Sequence, residues 1–301
     1  MTTVVALGGN ALVSPGERGT AAEQLANLRR MFEALAPVLD DDELVITHGN
    51  GPQVGAALRR HERASDEVPP LPLWVAVAET QAQIGTLVAQ EAHRASGREY
   101  ACVLTHVAVA EDDPAFASPT KPIGPFYDAE RAEALARERG WNVVEEPPRG
   151  WRRVVPSPAP LRVVERESIA ALAAVGTIVI ACGGGGIPVV DRDGALYGTD
   201  AVIDKDRASA LLAAGIAADR LVVLTDVDAV YRNFGTPSAR AVAELTPDEA
   251  DALLPELPPG SMRPKVEAAS EVARAGGDAV ITSAEALADA LAGRAGTHVR
   301  A

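Results

Sequence analysis

The sequence predicts an α/β fold: a mainly parallel sheet with helices packed on both faces. Three observations lead there. Short uncharged apolar runs recur at 4–7, 44–47, 101–105, 177–181, 221–225 and 279–282, each apolar at successive positions, as strands buried on both faces must be. Longer stretches with helical patterning lie between them, chiefly 21–36 and 75–95. This alternation joins neighbouring strands by helical crossovers, which makes them parallel.

In chain order, run 4–7 enters Gly8, Gly9 and Asn10, where residues without a Cβ let backbone N–H groups approach an anion closely. Helix 21–36 follows. Run 44–47 enters His48, Gly49, Asn50 and Gly51, and Pro52 suits the first turn of a helix over 52–60 whose positive end faces the glycines. Helix 75–95 leads to run 101–105. Nine of the 22 prolines and two of the three tryptophans then cluster from Pro114 to Pro160 around one charged helix, 128–140, which marks an excursion from the sheet. Residues 168–190 carry no charge, but five glycines and Pro188 divide them into helix, strand and loop, so no membrane span is expected. Run 177–181 ends in Cys182 followed by Gly183, Gly184, Gly185 and Gly186. Helix 207–214 closes at Gly215, and run 221–225 leads to Asp226 and Asp228 at a strand end, where open α/β sheets hold ligands and where turn capping is the other reading. Pro264 opens the last of these helices, 264–275, capped by Gly276.

Composition narrows the function. The chain has 301 residues and a formal net charge of −14, so it repels nucleic acid and anionic membranes, and any phosphate partner must be small and held in a local positive pocket. Two cysteines in such a length form no oxidative framework, and the N-terminus has no secretory pattern, so a cytoplasmic location is expected. Of 28 basic residues only Lys121, Lys205 and Lys265 are lysine. Where arginine has replaced lysine almost everywhere, the survivors mark places that need a compact ammonium among phosphate oxygens. Lys205 and Lys265 each sit at the start of a helix, where a cation opposes the helix dipole unless an anion is also bound. Asp204, Asp206 and Glu267 are the nearby carboxylates that offer to neutralise them. Lys121, between Pro119 and Pro122, sits on a stiff extended loop that can project one charge into a cleft.

Familiar nucleotide signatures are absent. No lysine is followed by Ser or Thr, which excludes a Walker motif, and the third glycine position counted from Gly183 or Gly184 falls on Pro188 or Val189, which excludes the dinucleotide fingerprint. The five histidines lack metal-ligand spacing, so no protein-held metal site is expected.

Together these segments resemble the carbamate kinases of the amino acid kinase superfamily: LGGNAL from Leu7, ERGTAAEQ from Glu17, THGNGPQVG from Thr47, DPAFASPTKPIGPFY from Asp113, CGGGGIPV from Cys182, AVIDKD from Ala201, LTDVDAVYRNFGTP from Leu224 and SMRPKVEAA from Ser261. The resemblance implies one domain over 1–301, an open, mainly parallel eight-stranded sheet sandwiched by helices. A small protruding subdomain is implied at about 113–155. An N-terminal lobe of about 1–160 would hold the acceptor, and a C-terminal lobe of about 161–301 the nucleotide. It implies reversible phosphoryl transfer between ATP and carbamate, giving ADP and carbamoyl phosphate, with Mg2+ and as a homodimer. Carried over by residue, Lys121, Lys205, Lys265, Asp206 and Asn10 would be catalytic. Gly8, Gly9, Gly49, Asn50 and Gly51 would hold carbamate and the moving phosphoryl group. Gly183, Gly184, Gly185, Gly186, Asp226, Tyr231, Asn233 and Met262 would line the nucleotide. Arg263 stands where the family usually has glycine, beside the expected nucleotide, and Ala82, Thr86, His106 and Ala110 also depart from its pattern. Two alternatives stay open, a relative acting on another small carboxylate and a nucleotide sensor without turnover; three retained lysines argue against the second.

Overall fold

The computed structural model describes residues 1–8, 11–14, 16–258 and 260–301. Its main sheet has eight strands in the order Glu244–Leu245, Thr297–Val299, Asp278–Thr282, Arg220–Leu224, Thr2–Leu7, Glu43–His48, Ile178–Ile180 and Tyr100–Cys102. Every neighbouring pair is parallel except Asp278–Thr282 with Thr297–Val299. The α/β fold with a mainly parallel eight-stranded sheet is therefore present. Alternate residues of one strand feed opposite cores. Val4, Val45, Val179 and Val223 pack beneath helices Lys205–Gly215 and Met262–Arg274, whereas Val5, Ile46, Ile180 and Leu224 pack beneath Ala21–Ala34 and Leu73–Ser96. Burial on both faces is why these strands read as unbroken apolar runs.

The expected 101–105 strand is shorter than its apolar run. It ends at Cys102: the Val103 N–H still donates to the Ile180 carbonyl, and by Thr105 side chains replace the ladder, the Thr105 N–H donating to Gln81 Oε1 and the Thr105 hydroxyl accepting from the Cys182 N–H. The chain then starts a second sheet, with strands Ala195–Gly198, Ile187–Arg192, His106–Val109 and Pro160–Val163, which periodicity did not single out. Residues 121–155 form a three-stranded antiparallel sheet, Lys121–Tyr127, Gly150–Val155 and Asn142–Glu146, with helix Ala129–Arg139 packed against it. Its strand Lys121–Tyr127 lies hard against helix Gly51–Arg63: a Cβ added to Gly55 would sit 2.6 Å from the Gly124 Cα. Only two glycines permit backbones this close. No helix among the described residues is long and apolar enough to cross a membrane.

Candidate active site

The central strand Thr2–Leu7 has Arg220–Leu224 on one side and Glu43–His48 on the other. The strand that follows it in the chain lies on one side and the later strands of the sheet from Arg220–Leu224 onward lie on the other, and such a switch point opens a crevice beyond the carboxyl ends of the strands. A cavity of about 320 Å3 lies there, walled by Gly8, Gly49, Lys121, Lys205, Asp206 and Lys265 among others. A neighbouring cavity of about 510 Å3 runs along helix Ala21–Ala34 and shares Gly8, Thr225 and Asp226, but none of the lysines lines it.

The three lysines arrive from different parts of the chain and meet two aspartates. Asp206, on the first turn of helix Lys205–Gly215, accepts from Lys205 Nζ through Oδ1 and from Lys265 Nζ through Oδ2 at 2.9 Å. Lys265 comes from helix Met262–Arg274 and also donates to the Ser261 carbonyl at 3.2 Å. Lys121, the first residue of the antiparallel sheet, donates to Asp204 Oδ2 at 2.8 Å. Glu267, the third carboxylate offered by the sequence, instead accepts from Arg207. The lysine helix is seated by a buried chain in which the Thr47 and Ser209 hydroxyls lie 2.6 Å apart and Ser209 donates to the Lys205 carbonyl.

Burial sets the electrostatics. It pushes the Lys205 ammonium below its ordinary range despite attraction from Asp206. Burial alone would raise the two aspartates, but Lys121 and Lys205 outweigh it and hold Asp204 at about 2, while Lys205 and Lys265 hold Asp206 below its ordinary value. His48 lies buried beneath this cluster, its Nδ1 3.0 Å from the Gly49 carbonyl. Burial lowers its pKa to about 4, so the imidazole is neutral near pH 7.

The glycines serve close approach. A Cβ on Gly8 would fall 2.8 Å from the Leu224 carbonyl oxygen, and one on Gly49 would press on the Lys205 stem at 3.3 Å. Gly51 starts its helix at the cleft wall. Gly184 also lines the cleft, with φ +65° and no space for a Cβ beside the Asn50 amide, which donates to Thr80 Oγ1. Gly183, Gly185 and Gly186 are buried behind it, where added Cβ atoms would strike His48, the Ile203 carbonyl and Val107. Tight packing under the cleft leaves no space for side chains at these three positions.

On the far side, Asp226 is exposed at the cleft wall. Tyr231, Asn233 and Met262 do not line the cavity: Tyr231 donates to Asp228 and packs against Phe234, Asn233 takes φ +53° after a short strand, and Met262 packs on the core at the start of its helix. Arg263 turns away from the cleft and donates to the Leu257 carbonyl at 3.0 Å. Gly9 and Asn10 lie outside the described residues. The structure adds Asp204 to the residues singled out by sequence. Its signal in the sequence is an aspartate directly before a helix, an N-cap pattern. No group of three or more His, Cys, Asp or Glu among the described residues is arranged to hold a metal ion.

The amino acid kinase family model matches residues 1–283. Carbamate kinase of Thermococcus kodakarensis is 46% identical, covering 98% of each chain, and that of Halobacterium salinarum is 48% identical, covering 99% of this chain and 97% of the relative. Carbamate kinase from Giardia lamblia bound to AMP-PNP superposes with a TM-score of 0.91 at 37% identity, covering 99% of this chain and 98% of the other. With such likeness end to end, the chain belongs to the amino acid kinase family, among its carbamate kinases.

Proposed function

We propose that the chain moves a phosphoryl group reversibly between ATP and carbamate, giving ADP and carbamoyl phosphate. The observation that carries this reading is the meeting of Lys121, Lys205 and Lys265 at one switch-point cleft, two of them fixed by the single carboxylate of Asp206. Phosphoryl transfer needs reactants in line and positive charge already in place around the transferring group. Lys205 and Lys265 would meet charge on that group and on the ADP leaving group. Lys121, with the backbone at Gly8, Gly49 and Gly51, would face the acceptor. Carbamate brings its own anionic oxygen, so no side chain has to remove a proton, and the buried His48, whose hold on a proton burial weakens, would be a poor base.

In this reading the half of about 1–160 holds the acceptor, with 113–155 as the protruding part, and the half of about 161–301 holds the nucleotide, including Asp226, Tyr231, Asn233 and Met262. A kinase of this kind works with a divalent metal ion, which we take to be Mg2+. The residues fit an ion carried by the nucleotide: Asp204 and Asp206 are taken up by lysines, and Asp226 is the cleft carboxylate with no cation partner among the described residues. Phosphate oxygens, water and Asp226 would hold it, and it would offset phosphate charge. Two unpaired cysteines support a cytoplasmic location. A homodimer is supported by exposed Tyr100 and Leu104 beside the outermost strand Tyr100–Cys102; light scattering at assay concentration tests it, and a monomer refutes it. The activity is tested by coupled detection of ATP from ADP and carbamoyl phosphate. Turnover of acetyl phosphate in its place would move the chain to another acceptor.

A further inference from the structure

Asp204 uses its two carboxylate oxygens for different purposes. Oδ1 accepts from the backbone N–H groups of Asp206 and Arg207, at 2.9 and 3.4 Å, and so caps the helix that carries Lys205. Oδ2 accepts from Lys121 across 83 residues of sequence. The cap alone would be served as well by serine or asparagine, which have no charge. The charge has a cost, because Asp204 lines the cleft and repels any phosphate that enters.

The placement of Lys121 explains why a carboxylate stands there. Lys121 belongs to a sheet separate from the main one, and its side chain is 32% exposed, against 13% for both Lys205 and Lys265. An unanchored ammonium on a flexible stem would settle on whichever phosphate lay nearest. We propose that Asp204 is a positioning residue that holds Lys121 at the acceptor end of the cleft and keeps it off the nucleotide phosphates, sacrificing anion affinity for geometry. This deepens the kinase reading and rests on it.

Asp204→Asn tests the proposal, because asparagine keeps the cap while losing the charge. Inorganic phosphate should bind about tenfold more tightly in calorimetric titration, since a nearby negative charge is gone. In the assay kcat should fall by about tenfold while the KM for carbamoyl phosphate stays level or drops, the signature of an ammonium that binds but is misplaced. In a Lys121→Ala background Asp204→Asn should change kcat no further. A merely structural role would lower thermal stability and leave phosphate affinity alone. Unchanged phosphate affinity, full kcat, or losses that add in the double variant would each overturn the proposal. If Asp204→Asn fails to fold, Asp204→Ser, which caps but cannot reach Lys121, is judged by the same three outcomes. A wild-type protein inactive with carbamoyl phosphate would refute the kinase reading, while the phosphate titration would still decide the role of Asp204.

Discussion

The cleft has two kinds of charged site, and they are built in opposite ways. Around Asp206 the charges are shut in: its side chain is 4% exposed, those of Lys205 and Lys265 are 13% exposed, and all three stand on first turns of helices seated on the main sheet. Around Lys121 the ammonium is 32% exposed and comes from the separate antiparallel sheet. In the first site one carboxylate shared between two cations offsets part of their desolvation and holds them in place within the fold. The second is a contact between two parts of the molecule and depends on how they dock. The cleft thus joins charge held within the main fold to charge brought by a separate sheet.

The largest expected effect comes from Asp206→Asn, which leaves two ammoniums side by side with no carboxylate between them. Breaking a buried ion pair on one side costs about 3–5 kcal/mol. We therefore expect a denaturant midpoint far below wild type and kcat reduced by about 1,000-fold in whatever folds. A folded variant with kcat within tenfold of wild type would show that Asp206 does not organise the lysines.

Next is the neutral imidazole beneath the cluster. The folded chain refuses a proton at His48 down to about pH 4, whereas the unfolded chain accepts one near 6.5. His48 therefore allows full stability above pH 6.5, and stability declines as pH falls toward 4, by at most about 3 kcal/mol. Thermal unfolding of wild type and His48→Asn at several pH values should show the steeper decline in wild type. Parallel curves would mean that a third positive charge is tolerated there.

Lys205→Arg tests whether the closed site needs a lysine as such. With the Gly49 backbone against the Lys205 stem, a planar guanidinium should still fold but lose about 100-fold in kcat, about 2.7 kcal/mol, with nucleotide binding affected less. Near-normal turnover would sever the link between lysine scarcity and catalysis.

Gly55→Ala probes the docking that delivers Lys121. A methyl group 2.6 Å from the Gly124 Cα must push the antiparallel sheet outward, at about 1–3 kcal/mol of stability. Any loss of kcat should vanish in a Lys121→Ala background. A loss that persists there would place the effect elsewhere. The smallest effect is expected from Arg263→Gly: because Arg263 is turned onto the Leu257 carbonyl, the KM for ADP should change by less than about twofold. A tenfold rise would mean that the side chain swings into the cleft when nucleotide binds.

How much of this was legible in the sequence depends on the range of the interaction involved. Runs such as Val4–Leu7 and Leu221–Leu224 disclose buried parallel strands, because a residue's affinity for water and its backbone preference are local properties. Gly8 and Gly49 after strands, and Pro52 in a first turn, disclose turns and helix starts for the same reason. The three lysines stand out by composition, and the structure brings them to one cleft. Tertiary structure alone decided which partners these residues meet. Lys121 and Asp204 are 83 residues apart, and Lys265 and Asp206 are 59 apart. Gly183, Gly185 and Gly186 meet His48, Ile203 and Val107, which arrive from distant strands and loops to fill the space a side chain would need. Those distances are set by the crossovers of the sheet, and no stretch of neighbouring residues carries that information.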